Sequence, residues 1–413
     1  MSVEPESTAG WHSAGPAESA LQMAQIILWS PVCSPIQVTR STMNVPLICD
    51  YGSGFSKVGF SGTEVPQAVF PTILGKLRHD NLLVGMEEKD WFIGDEVQKK
   101  WGQLNLQQPI SRATITNWDN VEKIWHHSFY QVLRIAPEQH PLMVTEPPLN
   151  SMSVKDRMSQ ILFESFNVPA LYLANQGVLS LYSSGQTSGT TIESGEGMTY
   201  IVPISDSCPL NQSTIQMDVA GQDLTLYLLQ QLSDSGHSLV STADREYVRD
   251  VKEKCCYVAL DFDKEKEEAS PPSSAQKYQL PDGREIHLGQ ERFFCPEALF
   301  QTSLIGRNRP GIHLTAFQSI SSCRRGLWKV LFGHIILSGG TSSCLGLRDR
   351  MQRELCSLVT PAINVKVSAS PYSSYSAWVG GSILCSLSTF KDMWVTNDEY
   401  KEMGSSVVSR RNF

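Results

Sequence analysis

Asp50-Tyr51-Gly52-Ser53-Gly54-Phe55-Ser56-Lys57 lies between two apolar runs, Val45 to Cys49 and Phe55 to Phe60. An acidic residue and two glycines at the junction of such runs predict a β-hairpin. Because glycine has no Cβ, successive backbone N–H groups at the tip can point at one anion, helped by the Ser53 hydroxyl and the Lys57 ammonium. The stretch therefore predicts a phosphate-binding turn, although an ordinary hairpin tip has the same composition.

Asp50 directly precedes this turn. A carboxylate at that position can hold a divalent cation through water, as Mg²⁺ is commonly held beside nucleotide phosphates. The sequence therefore predicts a metal-binding role for Asp50 next to the phosphate-binding turn.

A second stretch of the same design is Ile192-Glu193-Ser194-Gly195-Glu196-Gly197-Met198-Thr199, between the runs Gly189 to Ile192 and Met198 to Ile204. Two hairpins of one design predict two halves of like build that face one ligand. Further glycine turns are predicted at Ser338-Gly339-Gly340-Thr341, after the strand-like run His334 to Leu337, and at Val379-Gly380-Gly381-Ser382, which opens an apolar helix-like run. Neither GxxxxGK[ST] nor a strand-anchored GxGxxG is present, which excludes two common nucleotide-binding motifs.

Composition narrows the class of protein. The chain has 413 residues, 41% hydrophobic and 18% charged, enough for two or more domains with a sizeable core. A net charge of −8 gives no broad basic surface and argues against nucleic-acid binding.

The ten cysteines include no CxxC pair and indicate reduced, intracellular thiols. No Lys or Arg precedes Arg40 and no apolar run is long enough for a membrane span, so we expect neither a targeting peptide nor a membrane segment.

The order of segments indicates the architecture. Residues 1 to 44 are rich in Ser, Pro, Ala and Glu and predict a disordered extension. Beyond them, strand patterns alternate with helix patterns, such as the helix that begins after Asn117, which indicates an α/β architecture. Three stretches predict exposed loops, namely Lys76 to Met86, Asp263 to Lys277 and Ser303 to Ile312.

Several further stretches follow one another in a distinctive order: Thr116-Asn117-Trp118-Asp119, Glu122-Lys123-Ile124-Trp125-His126-His127, Phe166-Asn167-Val168-Pro169-Ala170, Val178-Leu179-Ser180-Leu181-Tyr182, Lys252-Glu253-Lys254, Cys256-Tyr257-Val258-Ala259-Leu260-Asp261-Phe262, Leu337-Ser338-Gly339-Gly340-Thr341 and Trp378-Val379-Gly380-Gly381-Ser382-Ile383-Leu384. Together with the two hairpins, this order resembles the actin family from Val45 to Phe413. The resemblance implies a divergent actin-like protein with an N-terminal extension.

The resemblance implies a two-lobed α/β fold of the kind shared by actin, hexokinase and heat-shock chaperone ATPases. ATP or ADP with Mg²⁺ or Ca²⁺ would occupy a cleft between the lobes. After the extension, residues 1–44, the family's four subdomains would comprise residues 45–71, 109–183 and 376–413 (first), 72–108 (second), 184–219 and 308–375 (third), and 220–307 (fourth).

The resemblance also assigns roles to single residues. The phosphates and the nucleoside would contact both hairpins and the turns that follow, through Ser53, Gly54, Phe55, Lys57, Gly195, Glu196, Gly197, Gly221, Lys252, Glu253, Gly339 and Gly340. Asp50 and Glu193 would hold the metal ion through water, and the catalytic positions would be Gln176, which positions water, Glu193 and Tyr200. The Lys76 to Met86 loop resembles the loop that docks into a neighbouring filament subunit. Its docking groove, which also receives actin-binding proteins, would be lined by Tyr182, Gly185, Leu384, Leu387 and Thr389.

The chain departs from the family pattern around the nucleotide. Glu193 and Glu196 replace aspartates, so each carboxylate reaches one methylene further, and a misplacement of about 1 Å can lower a rate about 100-fold. Tyr200 replaces a histidine, and a phenol with a pKa of about 10 cannot relay protons at neutral pH. Tyr51 replaces a smaller amide beside the phosphate turn, while Ser374 and Cys344 replace a lysine and a tyrosine beside the adenine.

The sequence therefore predicts a cytoplasmic, cytoskeletal actin-like protein that binds ATP with a divalent cation, joins or decorates filaments and hydrolyses ATP weakly or not at all. Its partners would be actin or further copies of itself, with actin-binding proteins at the groove. A non-polymerising actin-like scaffold in a partner complex is the alternative, and the interruption Cys208-Pro209 at the groove rim favours it. A sugar kinase would need a catalytic acid beside a sugar pocket, which the sequence does not offer.

Overall fold

A computed structural model describes residues 45–77, 91–100, 103–237, 239, 242–268, 276–280 and 283–411. The predicted extension, residues 1–44, lies outside the described residues. So does most of the predicted loop from Lys76 to Met86, of which Lys76 and Leu77 belong to a strand.

The strands are short and spread along the whole described chain. They are β1 (Leu47–Tyr51), β2 (Phe55–Phe60), β3 (Ala68–Pro71), β4 (Leu74–Leu77), β5 (Phe92–Ile93), β6 (Leu104–Gln107), β7 (Ile110–Ser111), β8 (Thr114–Ile115), β9 (Leu142–Glu146), β10 (Ala170–Asn175), β11 (Gly189–Ser194), β12 (Thr199–Ser205), β13 (Cys208–Pro209), β14 (Ile215–Met217), β15 (Gln276–Gln279), β16 (Glu285–Leu288), β17 (Ile335–Ser338), β18 (Val367–Ala369) and β19 (Val395–Thr396).

The α-helices alternate with these strands. They are α1 (Asp95–Lys99), α2 (Trp118–His126), α3 (Met152–Gln160), α4 (Gln176–Ser183), α5 (Gly221–Asp234), α6 (Thr242–Cys255), α7 (Phe262–Glu268), α8 (Glu291–Glu297), α9 (Ile312–Ser322), α10 (Trp328–Gly333), α11 (Leu347–Leu358), α12 (Ser376–Ser386), α13 (Asn397–Met403) and α14 (Ser406–Arg411). The backbone continues as a π-helix after α2 (His127–Leu133) and after α3 (Ile161–Ser165). Short 3₁₀ helices occur at Pro137–Gln139, Thr302–Ile305, Arg325–Leu327, Thr341–Ser343, Ser373–Tyr375 and Ser388–Met393.

Two six-stranded sheets form the centres of two lobes. The first has the order β19-β10-β9-β1-β2-β3, and the second has the order β13-β12-β11-β17-β18 with β14 beside β12. In each sheet a hairpin is antiparallel, β1 with β2 or β11 with β12, and its first strand pairs in parallel with a later strand, β9 or β17. Both predicted hairpins and the like build of the two halves are therefore confirmed.

Buried apolar side chains form three layers around these sheets. Successive residues of a strand point to opposite faces, so Leu47 and Cys49 join the layer outside the first sheet while Ile48 joins the layer between the sheets. In the second sheet, Ile336 faces the middle layer, whereas its neighbours in β17 face the outer layer. The two sheets thus share one middle layer, which joins the lobes into a single core.

Helices α4 and α12 fill this middle layer and also carry the chain between the lobes. Helix α4 connects β10 with β11, and α12 follows β18 and precedes β19. A Cβ at Gly380 would lie 1.8 Å from the carbonyl oxygen of Leu179, so the backbones of α4 and α12 are in direct contact. The predicted turn at Val379-Gly380-Gly381-Ser382 is wrong, because these residues lie within α12 and the glycines allow this helix contact.

Two of the predicted loops contain regular structure instead. Residues Phe262–Glu268 form α7, whose Lys264 and Glu268 make an i,i+4 ion pair at 3.6 Å, and whose Glu265 Oε1 accepts from Tyr257 Oη at 2.7 Å. Thr302–Ile305 form a 3₁₀ helix, with Leu304 packed against the outer core of the second lobe rather than exposed. By contrast, Asn117 caps α2 as predicted, since its side chain accepts from Asn120 N at 3.0 Å.

In the part of the chain that the structure describes, no helix is both long enough and apolar enough to cross a bilayer.

Candidate functional site

Both glycine hairpins are closed by the same backbone hydrogen bond. Gly52 N donates to Phe55 O at 3.1 Å in the first hairpin, and Gly195 N donates to Met198 O at 3.1 Å in the second. This turn leaves the remaining backbone of each tip available to a ligand.

The two tips face each other across the gap between the lobes. A Cβ on Gly54 would lie 3.0 Å from Cβ of Glu196, and a Cβ on Gly197 would lie 2.7 Å from Oγ of Ser53. Glycine is required at these positions because the opposite hairpin occupies the space of a side chain. Residues about 140 positions apart in sequence are thus brought together at one site.

Asp50 lies at the base of the first hairpin and is 4% exposed. Lys57 Nζ donates to its Oδ2 at 2.8 Å, and Gln176 Nε2 donates to its Oδ1 at 2.9 Å. Thr145 Oγ1 also donates to Oδ1. Burial alone would raise the pKa of Asp50, but the Lys57 ammonium and these hydrogen bonds outweigh burial and hold the pKa below its usual range. Asp50 is therefore ionised, with Lys57 as its counter-ion.

Glu193 lies on the second hairpin and is also buried. Its Oε1 accepts hydrogen bonds from Ser180 Oγ and from Ser338 Oγ, the latter at 2.8 Å. Burial raises the pKa of Glu193 against the effect of these hydrogen bonds, and the charge of Asp50 raises it further. The Lys57 ammonium, which is ion-paired with Asp50, lowers the pKa of Glu193 by less than the charge of Asp50 raises it, so the charge of Glu193 is only partly balanced.

Tyr200 faces Glu193 across the β11–β12 pair. Burial raises the pKa of Tyr200 to about 12, and the charge of Glu193 adds to the rise. The phenol is therefore protonated throughout the physiological pH range and cannot accept a proton there.

A cavity of about 500 Å³ lies between the hairpins and extends towards α6 and the third glycine turn. Nearly all of the predicted nucleotide, metal and catalytic residues line it, namely Asp50, Ser53, Gly54, Phe55, Lys57, Gln176, Glu193, Gly195, Glu196, Gly197, Tyr200, Lys252, Glu253, Gly339 and Gly340. Gly221 lies just behind the lining, where its N–H donates to Gly195 O at 3.0 Å.

The third glycine turn supports the second hairpin from behind. Gly339 has φ of 90°, and a Cβ there would lie 2.3 Å from the carbonyl oxygen of Ser194. Thr341 Oγ1 donates to Gly195 O at 2.8 Å. The predicted turn at Ser338–Thr341 is thus confirmed, and it needs glycine for both conformation and space.

Lys252 and Glu253 lie at the opposite end of the cavity on α6. Lys252 Nζ donates to Gly221 O and to Thr225 Oγ1, both at 2.9 Å, so it anchors the start of α5. Glu253 is more open, with 54% of its side chain exposed. This end therefore offers one fixed ammonium and one adaptable carboxylate.

The donors around the cavity fit a phosphate chain with a hydrated divalent cation. Lys57 and the glycine amides suit phosphate oxygens, and the buried carboxylate of Glu193 lacks a bonded basic side chain that would balance its charge. Among the described residues, no three His, Cys, Asp or Glu side chains converge as direct metal ligands. A cation at Asp50 and Glu193 would therefore keep most of its water, as Mg²⁺ commonly does.

The family comparison matches an actin model to residues 42–413. This chain belongs to the actin family. The match includes both lobes and both hairpins, so the fold is the two-lobed α/β fold of actins. The predicted resemblance is confirmed, and the candidate site of this actin-family protein is the cleft at the hairpin tips.

The predicted partner groove of this actin-family protein lies at one end of the middle layer. Tyr182 at the end of α4 is buried in that layer, and Leu384 and Leu387 near the end of α12 pack against it. Thr389 is exposed, and a Cβ at Gly185, where φ is 74°, would meet open space. Because α4 and α12 touch, residues about 200 positions apart in sequence share this surface.

Sequence reasoning missed several residues of the site. Thr145, Ser180 and Ser338 hold the two central carboxylates, yet each is a common hydroxyl residue without a motif of its own. Arg112 was also missed, although its guanidinium crosses from the first lobe to Asp223 in the second at 2.7 Å. The contact depends on a turn with φ of 47° at Arg112 and 57° at Ala113, for which the sequence has no glycine signal.

Proposed function

We propose that this protein is a cytoplasmic, cytoskeletal actin-like protein that binds ATP or ADP with Mg²⁺ or Ca²⁺ in its cleft. It joins or decorates filaments and hydrolyses ATP weakly or not at all. Its partners are actin or further copies of itself, and actin-binding proteins dock at the groove formed by Tyr182, Gly185, Leu384, Leu387 and Thr389. The observation that carries the proposal is the tip-to-tip approach of the two glycine hairpins around Lys57.

In this proposal the hairpins bind the phosphates through their backbone amides. Ser53, Gly54, Phe55 and Lys57 act from the first lobe, and Gly195, Glu196 and Gly197 act from the second. Asp50 and Glu193 hold the cation through water. Gly221, Lys252, Glu253, Gly339 and Gly340 flank the nucleoside. The bound cation would neutralise phosphate charge, while the chain's own groups orient the phosphates and exclude bulk water.

Weak hydrolysis is proposed because the groups that would activate water are engaged or unsuitable. Gln176 Nε2 donates to Asp50 Oδ1 at 2.9 Å and to Thr145 Oγ1 at 3.2 Å. Glu193 Oε1 is held by Ser180 and Ser338. The Tyr200 phenol, with its pKa raised to about 12, cannot accept the proton that attacking water must lose. Binding without efficient turnover follows from this arrangement.

The binding part is tested by titrating the purified full chain with fluorescent ATP and Mg²⁺. Lys57→Met should weaken binding about 10- to 100-fold, because one hydrogen bond to a charged group contributes roughly 1.5–3 kcal/mol. Lys264→Met is the matched control, since this lysine lies on α7 with 72% of its side chain exposed. Binding that is equally strong in both variants would refute the phosphate-binding role of the first hairpin.

The filament part is tested by sedimentation under polymerising salt, with and without actin. A pellet of the protein alone or with actin agrees with the proposal. If the protein instead stays in a soluble complex with its partners, the scaffold is the better description, and the exposed Cys208 at the short strand β13 is then the place to examine.

A further inference from the structure

The segment Thr302–Pro310 lies on the second lobe, far in sequence from both hairpins. Its conformation is fixed by Thr302, whose Oγ1 donates to Arg307 O at 3.0 Å and accepts from Arg309 N at 3.3 Å. Its last three residues are exposed. It is therefore an ordered surface loop that a partner molecule can reach.

Arg307 connects this loop to two carboxylates of the second lobe, Asp218 and Asp223. Its Nη1 donates to Asp218 Oδ2, and its Nη2 lies 3.1 Å from Asp223 Oδ1. The side chain of Asp223 is only 7% exposed, whereas that of Arg307 is 31% exposed. The guanidinium thus reaches from the surface to a buried acidic group.

Arg112 of the first lobe binds the same carboxylate from the other side. Its Nη2 lies 2.7 Å from Asp223 Oδ1 and its Nη1 lies 3.3 Å from Asp223 Oδ2. Nη1 also donates to Asp218 O at 2.9 Å and lies 3.5 Å from Gly197 O on the second hairpin. Two guanidinium groups, one from each lobe, therefore share Asp223 Oδ1.

The turn that carries Arg112 also contacts the first hairpin. Ala113 N donates to Ser53 Oγ at 3.0 Å. Arg112 and Ala113 both have positive φ, a conformation that non-glycine residues hold only when their surroundings stabilise it. This turn therefore contacts both hairpin tips, Ser53 in the first and Gly197 in the second.

We propose that Arg307 is a positioning residue for the nucleotide site, acting through Asp223 and Arg112. The Arg112–Asp223–Arg307 network couples the surface loop Thr302–Pro310 to the distance between the two hairpins. A partner that displaces Arg307 from Asp223 loosens the hold on Arg112 and speeds nucleotide release. This inference rests on the proposed nucleotide binding, and it deepens that proposal by naming a route of regulation.

The expected effect of Arg307→Met is a nucleotide dissociation rate about 3- to 10-fold higher. We expect an effect near the low end of the usual range for coupling between two sites, because solvent screens a partly exposed ion pair. Arg112→Met should have the larger effect, since it removes the bidentate pair. The double variant should release nucleotide no faster than Arg112→Met, because the two residues act through one carboxylate. Arg307→Lys should be intermediate, since an ammonium cannot bridge Asp218 and Asp223 as a guanidinium does.

The experiment measures dissociation of fluorescent ATP from the full chain by stopped-flow chase, with Arg309→Met as the control. Arg309 lies in the same loop and is exposed, and its described hydrogen bonds with the Thr302 hydroxyl use only the backbone atoms of Arg309. Hydrogen exchange on the same proteins is the second measurement. Coupling is reciprocal, so bound nucleotide should slow exchange at Ser303–Gly311 in the wild type and in Arg309→Met but not in Arg307→Met.

The release rates and the hydrogen exchange together decide whether Arg307 is coupled to the nucleotide site. A faster release in Arg307→Met than in Arg309→Met, together with lost reciprocal protection, supports it. Equal release rates overturn it. If the wild type binds no nucleotide, the proposed function fails, and the network is judged from nucleotide-free hydrogen exchange. Faster exchange at Gly195–Thr199 in Arg307→Met alone then supports coupling, and unchanged exchange refutes it.

Discussion

Adding a methyl group at Gly197 should push the two hairpin tips apart. A Cβ there would lie 2.7 Å from Ser53 Oγ and 2.8 Å from Arg112 Cα, whereas ordinary contact begins at 3.4 Å. The tips would have to separate by roughly 0.6–0.7 Å, and nucleotide affinity should fall about 10- to 100-fold, as expected when one hydrogen bond to a charged phosphate, worth roughly 1.5–3 kcal/mol, is lost. Overpacking of this size should also lower stability by about 1–3 kcal/mol.

Gly326→Ala is the matched control, because this glycine lies on the exposed 3₁₀ helix Arg325–Leu327, is not a cavity-lining residue, and would have no neighbouring heavy atom within 4 Å of the new Cβ. Neither glycine has positive φ, so alanine is acceptable to the backbone at both positions. The assay is equilibrium titration with fluorescent Mg²⁺-ATP, with thermal unfolding measured on the same samples. Equal affinities of the Gly197→Ala and Gly326→Ala variants would show that tip spacing does not control binding and would refute the reasoning.

Three further results are expected. Asp50→Ala should shorten the retention of Mg²⁺-ATP more than Glu196→Ala, because Asp50 is the buried carboxylate at Lys57; equal exchange rates of fluorescent ATP would contradict its metal role. The triple change Glu193→Asp, Glu196→Asp, Tyr200→His should raise phosphate release under polymerising conditions, and an unchanged rate would place the defect elsewhere, for example at Tyr51. Glu193→Gln should stabilise the ligand-free protein more at pH 7.5 than at pH 5, because burial raises the pKa of Glu193 and the stability of the wild type falls as pH rises through that value; melting curves with the same shift at both pH values would contradict this.

The hairpins could be predicted because glycine spacing between apolar runs encodes them locally. The helix α7 could not, since its charged composition is equally typical of a solvated loop, and the contact of Tyr257 with Glu265 is visible only in the fold. The glycine pair Gly380-Gly381 is equally typical of a turn, because the sequence does not reveal that the carbonyl oxygen of Leu179 lies 1.8 Å from the position of a Cβ at Gly380.

The sequence predicts the backbone turns of the candidate site, but not which charged side chains form ion pairs there. Glycine positions and Lys57 follow from the motif, and they line the cavity together. Ion pairs such as Arg112 with Asp223 join residues 111 positions apart, so no local pattern contains them. Positive φ at a non-glycine residue is likewise a consequence of tertiary contacts rather than of composition.

The contact between α4 and α12 has a mechanical consequence. Both helices carry the chain from one lobe to the other, and their backbones touch at Gly380. This helix pair can therefore serve as the axis of a rotation between the lobes. A rotation of the lobes about this axis would move the distant hairpin tips further than the groove residues beside α12, because displacement grows with distance from the axis. A ligand bound at Leu384 or Leu387 would lie close to this axis, where a small displacement would correspond to a larger one at the hairpin tips.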